Sequence, residues 1–190
     1  GGVLLNELEH LDWAHPRVQI LRYLQQSEGR PVSGEEICTR LGMSRTAVWK
    51  HVQALRARGV EIDGRSRQGY RLTKPKEGLL PEWVVLHRGQ RRLGREVWFQ
   101  AELPSTNDVA RRLAEDGVGE GAHVLCEQQT QGRGRGGRSW FSPPGKSIYA
   151  SLILRPSLPI HEIPCLTLMA AVATVESLHA VGLPLAARIK

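Results

Sequence analysis

Apolar residues recur at helical spacing at Val18, Ile20, Leu21 and Leu24, and Gly29-Arg30-Pro31 ends the run, which predicts a first helix. Ser33-Gly34-Glu35-Glu36 follows with the spacing of a capping box, in which the serine and the glutamate three residues on each satisfy a free amide of the helix start. A second helix therefore begins at Ser33 and turns Ile37 and Leu41 inward. Gly42-Met43 makes a tight turn, and Ser44 caps a third helix over about 45–58. Its 3.6-residue period puts Val48, Val52 and Leu55 on one face and Thr46, Trp49, Lys50 and Gln53 on the other.

Two alternating runs come next, Val60-Glu61-Ile62 and Tyr70-Arg71-Leu72, around Asp63-Gly64-Arg65-Ser66-Arg67-Gln68-Gly69; they predict a hairpin with a basic tip. Helix, Gly-containing turn, helix and hairpin make a winged helix-turn-helix over 1–73. The proline-containing segment 74–81 is expected to be a linker, and 82–190 a second domain. There a helix over 82–93 carries arginines 88, 91, 92 and 95 as a solvated face. Strands are expected at 97–101, 122–127 and 147–154, and Pro104-Ser105-Thr106-Asn107 turns the chain into a helix over 108–115. The apolar stretch 163–181, with Leu166, Met169, Ala170, Ala173 and Val175, is expected to be a core helix, and Ala186-Ala187-Arg188-Ile189-Lys190 to begin a strand. The fold class predicted is α+β.

At 190 residues and 41% hydrophobic content, the chain can bury an ordinary core. A net charge of +7 favours a polyanionic partner such as nucleic acid, although basic surfaces are often merely solvated. Cys38, Cys126 and Cys165 are far apart and fit no metal-ligand spacing, which reads as reduced core thiols in a cytoplasmic protein. No apolar run is expected to reach the roughly 20 residues of a membrane span, so no membrane partner is assigned. A start at Gly1-Gly2 and an end at Lys190 without a stop signal suggest that one or both termini are cut.

The most chemically pointed segment is Gly132-Arg133-Gly134-Arg135-Gly136-Gly137-Arg138-Ser139-Trp140. Glycines reach positive φ cheaply and admit a ligand close to the backbone, and each arginine offers a planar fork of donors suited to carboxylate or phosphate. The bland alternative is an unstructured Arg-Gly tract that binds RNA nonspecifically. A single short run bounded by two expected strands favours an anion-binding loop.

The wording Glu127-x-Gln129-x-x-Gly132-Arg133-Gly134-Arg135-x-Gly137-Arg138-x-Trp140, with Ser105-Thr106-Asn107 upstream, resembles the ligand loop of biotin protein ligases, and 33–52 is similar to the DNA-reading segment of those that also repress biotin-synthesis genes. The resemblance covers nearly the whole chain after about residue 16. Gly136 departs from relatives that carry Arg at that slot. The resemblance implies a biotin/lipoate-ligase-like mixed-sheet catalytic domain, biotin and ATP as substrates with Mg²⁺, and a biotin carboxyl carrier protein as acceptor. It also implies operator DNA as partner and a homodimer when liganded. Ser105, Thr106 and Asn107 would sit beside biotin's ureido ring, Gln129 and Arg133 would line its pocket, and Gly132, Gly134, Arg135 and Arg138 would hold the adenylate under Trp140. Lys190 matches the family's catalytic lysine, followed there by Trp-Pro-Asn-Asp, so the chain is read as C-terminally cut. By themselves Ser105-Thr106-Asn107 would be only a helix cap, and Lys190 an idle side chain.

For DNA, Ser33, Ser44, Arg45, Thr46, Trp49, Lys50 and Gln53 are aimed at the duplex, with Arg65 and Arg67 of the wing at its backbone. Against this, a small helical domain could serve protein contacts only, with Trp49 packed beneath the wing. Two rivals remain for the whole: a ligand-sensing regulator without catalysis, and a relative that activates lipoate or another fatty acid.

Overall fold

The computed structural model describes residues 5–65, 68–74, 78–88 and 93–182. The compact unit Gly1–Leu154 holds three N-terminal helices, α1 (Pro16–Gln26), α2 (Gly34–Leu41) and α3 (Arg45–Ala57), and the antiparallel wing of β2 (Glu61–Arg65) and β3 (Gly69–Lys74). Their ends follow local chemistry. The Ser33 Oγ accepts from the Glu36 amide at 3.0 Å, and the Ser44 Oγ from the Ala47 amide at 3.2 Å. The reciprocal half of the capping box is absent, because the Glu36 carboxylate accepts from the Tyr23 hydroxyl instead. His15 caps α1 through Nδ1, 3.3 Å from the Arg17 amide, and burial pushes its ring pKa down to about 4, which keeps that nitrogen an acceptor. Gly42 ends α2 at φ 64, the left-handed conformation that a glycine adopts without a Cβ penalty.

A strand absent from the sequence expectation precedes the helices: β1 (Glu9–Asp12). It pairs antiparallel with β4 (Glu96–Phe99), which runs parallel to β6 (His123–Cys126), itself antiparallel to β8 (Tyr149–Leu152). The mixed sheet thus has the order β1-β4-β6-β8. With one buried apolar residue in four, Leu11, the first strand carries no alternation to detect. Between these lie α4 (Pro81–His87), α5 (Thr106–Glu115) and a two-stranded parallel pair, β5 (Glu102–Leu103) with β7 (Gln128–Gln129). The helix expected over 82–93 ends at His87, and 89–92 lie outside the described residues.

The pleat of the sheet divides two cores. Val97, Phe99 and Leu125 face the three-helix bundle and α4, while Val124 and Cys126 face α5 through Val109 and Leu113. Packing does not part at the expected linker. Residues 75–77 lie outside the described set, but Leu80 and Glu82 just beyond are buried, and Glu82 meets Arg17 and Arg58 of the helical bundle.

The second unit, Arg155–Lys190, contains a 3-10 turn at Ile160–Glu162 and α6 (Ile163–Ala180). The helix bounds agree with expectation, but its expected role as a core helix does not: none of its residues is buried, and its apolar residues lie all round rather than on one face. Over the 21 residues Ile160–Ala180 it is also long and apolar enough to cross a membrane by length and composition, contrary to the expectation that no run would be. The core helix of a soluble protein meets the same criterion. The three cysteines are free, but only Cys126 is a core thiol, its pKa pushed up to about 11 by burial; Cys38 is half-buried and Cys165 exposed. The strand expected at 186–190, and with it Lys190, lies outside the described residues, as does Arg67.

Candidate functional site

The Gly-Arg segment is ordered by its flanks. Leu103 faces Gln129 across the β5–β7 pair, and the Thr130 and Gln131 amides donate to the Leu103 and Pro104 carbonyls at 2.9 and 2.8 Å. This zip brings the start of α5 against β7. There the Gln129 Oε1 accepts from the Thr106 amide at 2.9 Å and from its hydroxyl at 3.2 Å. The Gln129 Nε2 donates to the Ser142 Oγ at 3.1 Å, and the Ser151 hydroxyl of β8 donates to Thr106 at 2.9 Å.

Residues 129–142 close on themselves as a narrow hairpin. Gln129 bridges Ser142, and Arg133 bridges Ser139; the Trp140 amide donates to the Gly132 carbonyl and the Gly134 amide to the Arg138 carbonyl, both at 2.7 Å. A 3-10 turn, Arg135–Gly137, forms the tip, where Gly136 and Gly137 take φ of 67 and 76. The loop encloses a cleft of about 700 Å³ lined by Thr106, Gln129, Arg133, Arg138, Trp140 and Tyr149. Its floor is neutral and polar; its rim is cationic. Arg133 reaches the Asp108 carboxylate at 2.9 Å, an exposed pair of small net value that an incoming anion can exchange. The cleft suits a ligand with a neutral polar head and an anionic end.

Not every expected residue faces the cleft. Ser105 is buried as the α5 cap, 3.5 Å from the Asp108 amide, and Asn107 is exposed, which leaves Thr106 as the member of its triplet in the cleft wall. Gly134 lines the cleft, Gly132 is buried beneath it, and Arg135 opens the tip turn. Trp140 stands 64% exposed, free to fold over a ligand. Ser142, Ser151, Tyr149 and Asp108 were not among the expected residues. No spacing rule marks them, since their roles arise from contacts across the loop and the sheet.

On the helical half, Arg45, Thr46, Trp49 and Lys50 are exposed along α3 and Gln53 is half-buried. Trp49 is 54% exposed. It lines a groove of about 660 Å³ between α2, α3 and the wing with Ser33, Arg45, Arg56 and Tyr70, of which Arg56 and Tyr70 were unexpected. The Ser33 and Ser44 hydroxyls are engaged as caps. Arg45 pairs with Glu35 at 3.3 Å in full exposure, and Arg65 closes β2. Among the described residues no cluster of three or more His, Cys, Asp or Glu side chains could hold a metal ion.

Residues 17–71 match the HTH domain family, and residues 98–188 the biotin/lipoate A/B protein ligase family. The chain is 39% identical over 164 residues to the bifunctional ligase/repressor BirA of Bacillus spizizenii, covering 86% of this chain and 50% of that protein. It is 38% identical over 163 residues to the bifunctional ligase/repressor BirA of Bacillus subtilis, again 86% and 50%. With the Escherichia coli protein of the same name the identity is 36% over 127 residues, 65% of this chain and 37% of that one. The chain spans about half the length of the Bacillus relatives it matches.

Proposed function

From the premise that residues 98–188 belong to the biotin/lipoate A/B protein ligase family and residues 17–71 to an HTH domain family, we propose that the protein carrying this chain is a biotin ligase and repressor. It activates biotin with ATP to biotinoyl-5'-AMP, transfers biotin to a lysine of a biotin carboxyl carrier protein, and represses biotin-synthesis genes at operator DNA. The observation that carries the reading is the cleft itself, in which the neutral Thr106–Gln129–Ser142 floor and the Arg133–Arg138 rim match the neutral ureido head and the anionic tail of biotin.

Two anions have to meet in the first step: the biotin carboxylate attacks the α-phosphate of ATP, the new carboxyl–phosphorus bond forms and pyrophosphate leaves. Arg133 and Arg138 screen that repulsion, and Arg135 and Lys190 are assigned beside the α-phosphate by the resemblance. In the second step a lysine amine of the acceptor attacks the anhydride carbonyl and AMP leaves. The glycine-flanked tip and Trp140 let the loop order over the ligand and exclude water that would hydrolyse the anhydride. Among the described residues no carboxylate cluster suits Mg²⁺; the ion is read as arriving on the triphosphate, and no step is routed through it.

The DNA-reading elements are assigned to Arg45, Thr46, Trp49, Lys50 and Gln53, with Arg65 and Arg67 at the backbone; a ligand-loaded homodimer presents two of them to operator half-sites. The reading places the reaction in the cytoplasm and needs no membrane partner. The test is mass spectrometry of an acceptor domain incubated with the intact protein, biotin and MgATP, where one biotinoyl group on one lysine is expected. An unmodified acceptor with biotin still bound would leave a sensor without catalysis.

On DNA, changing Lys50 and Gln53 together to alanine is expected to erase discrimination between operator and random duplex while acceptor labelling stays at the wild-type rate. Arg65→Ala is expected to weaken both duplexes alike and to reduce the salt slope by about 1. Electrophoretic mobility shifts at several salt concentrations read both outcomes.

A further inference from the structure

Five groups across the cleft floor form a hydrogen-bond relay that runs in one direction. The Ser151 hydroxyl donates to the Thr106 hydroxyl at 2.9 Å, that hydroxyl to the Gln129 Oε1 at 3.2 Å, the Gln129 Nε2 to the Ser142 Oγ at 3.1 Å, and the Ser142 hydroxyl to the Trp140 carbonyl at 3.2 Å. The direction is dictated at two points. The Thr106 backbone amide can only donate, so the Gln129 atom 2.9 Å from it must be the oxygen; the Trp140 carbonyl can only accept, so Ser142 must spend its proton there. Both carboxamide lone pairs are then used by Thr106. One N–H of Gln129 goes to Ser142 and the other has no partner among the described residues, so the side chain lining the cleft offers a donor and no acceptor.

We propose that Ser142 and Ser151 are positioning residues of the biotin site: they lock the Gln129 carboxamide in the orientation that presents its N–H to an acceptor on the ligand. The inference rests on the functional reading above. Ser142 is 3% exposed and Thr106 4%, so both lie where water competes little for these bonds. Without Ser142 the carboxamide loses the partner on its nitrogen side, and turning it over would set an N–H against the Thr106 amide. The ligand then meets a side chain that is no longer held. Gly132 belongs to the same device, since a Cβ there would lie 2.5 Å from the Trp140 carbonyl oxygen and 2.7 Å from the Ser142 Oγ.

The experiment is a mutant cycle in the intact protein, comparing wild type, Gln129→Ala, Ser142→Ala and the double variant in steady-state adenylation with biotin varied. Loss of one buried hydrogen bond predicts roughly a five- to tenfold rise in the KM for biotin for Ser142→Ala, with kcat within about twofold of wild type. The double variant is expected to match Gln129→Ala alone, because Ser142 acts through that carboxamide. Additive effects, or an unchanged KM for biotin, overturn the relay; a plain packing role would add to Gln129→Ala and lower the thermal midpoint with it. Should Ser142→Ala not fold, Ser151→Ala tests the other end by the same cycle, with a smaller rise in KM and the same lack of additivity. A wild-type protein that neither binds nor activates biotin removes the functional reading and the relay's role with it, an outcome distinct from an additive cycle in an active enzyme.

Discussion

Glu82→Ala is expected to lower the thermal midpoint by about 10 °C. Glu82 is fully buried, with its carboxylate 3.0 Å from the Arg58 Nη1 and 2.8 Å from the Arg17 Nε; the latter is an ion-pair approach off the line of a hydrogen bond. Glu9 of β1 bridges the same two arginines from the other side. Two carboxylates and two guanidiniums therefore balance in a site mostly closed to water. Removing one carboxylate leaves an unmatched cation there, and breaking a buried pair in this way costs about 3–5 kcal/mol. For a domain of this size that corresponds to about 2–4 °C per kcal/mol.

The cluster also decides what moves together. Arg58 caps α3, its guanidinium lies 5.1 Å from the Phe99 ring centroid in β4, and Glu9 and Glu82 come from β1 and α4, so the third helix of the bundle is joined to the mixed sheet. Burial raises the Glu9 pKa, but hydrogen bonds from Arg17 and Arg58 outweigh it and hold it below the ordinary glutamate value. A depressed carboxylate pKa contributes stability that is fully present above the unfolded value, about 4.3, and is lost as pH falls through the lower folded value. Calorimetry of wild type and Glu82→Ala from pH 7 down to pH 3 checks both statements. A midpoint within about 2 °C of wild type at pH 7 would mean that water solvates the cluster.

Why this cluster escapes a reading of the sequence is instructive. Arg17, Arg58, Glu9 and Glu82 look like ordinary surface charges, since no local spacing marks them and the ion-pair partners are up to 65 positions apart, from Arg17 to Glu82. Caps are different: Ser33 and Ser44 bond an amide three residues on, so their chemistry is contained in a short window. The apolar face of α3 is legible for the same reason, because Val48, Val52 and Leu55 repeat at the helical period. The two-residue strands β5 and β7 are too short to have a period, yet they set Thr106 against Gln129. The Gly-Arg wording marks where the cleft is. It does not reveal Ser142 and Ser151, which enter through contacts over 13 and 45 positions. For α6 the apolar content predicts a helix correctly but names no face, and its surroundings cannot be inferred from a pattern that is apolar all round.

Gly132→Ala is expected to raise the KM for biotin by roughly a hundredfold while lowering the thermal midpoint by only a few degrees. The added methyl would sit 2.5 Å from the Trp140 carbonyl oxygen and 2.7 Å from the Ser142 Oγ, closer than folded proteins tolerate, and neither atom is the free end of a flexible side chain. One is backbone, fixed because the same Trp140 donates its amide to the Gly132 carbonyl at 2.7 Å; the other is buried and bonded to Gln129. The hairpin has to open at its first rung, and the Gln129 carboxamide loses its support in the same movement. Overpacking of this kind costs about 1–3 kcal/mol, and each hydrogen bond lost about 1 kcal/mol more, which together correspond to roughly a hundredfold in affinity. Global stability is spared because the hydrophobic cores lie elsewhere, around Leu21 and Leu55 on one side of the sheet and Leu113 and Val124 on the other. Gly136→Ala is the control. Its φ of 67 imposes a left-handed strain of about 1–2 kcal/mol on alanine, but a Cβ there meets nothing within 4 Å, so the relay stays intact and the KM for biotin should change by less than about tenfold. Isothermal titration of biotin into the two variants and wild type separates the cases. Equal losses would mean that the loop responds to backbone freedom as a whole, and wild-type affinity in Gly132→Ala would mean that the hairpin yields without disturbing the floor of the cleft.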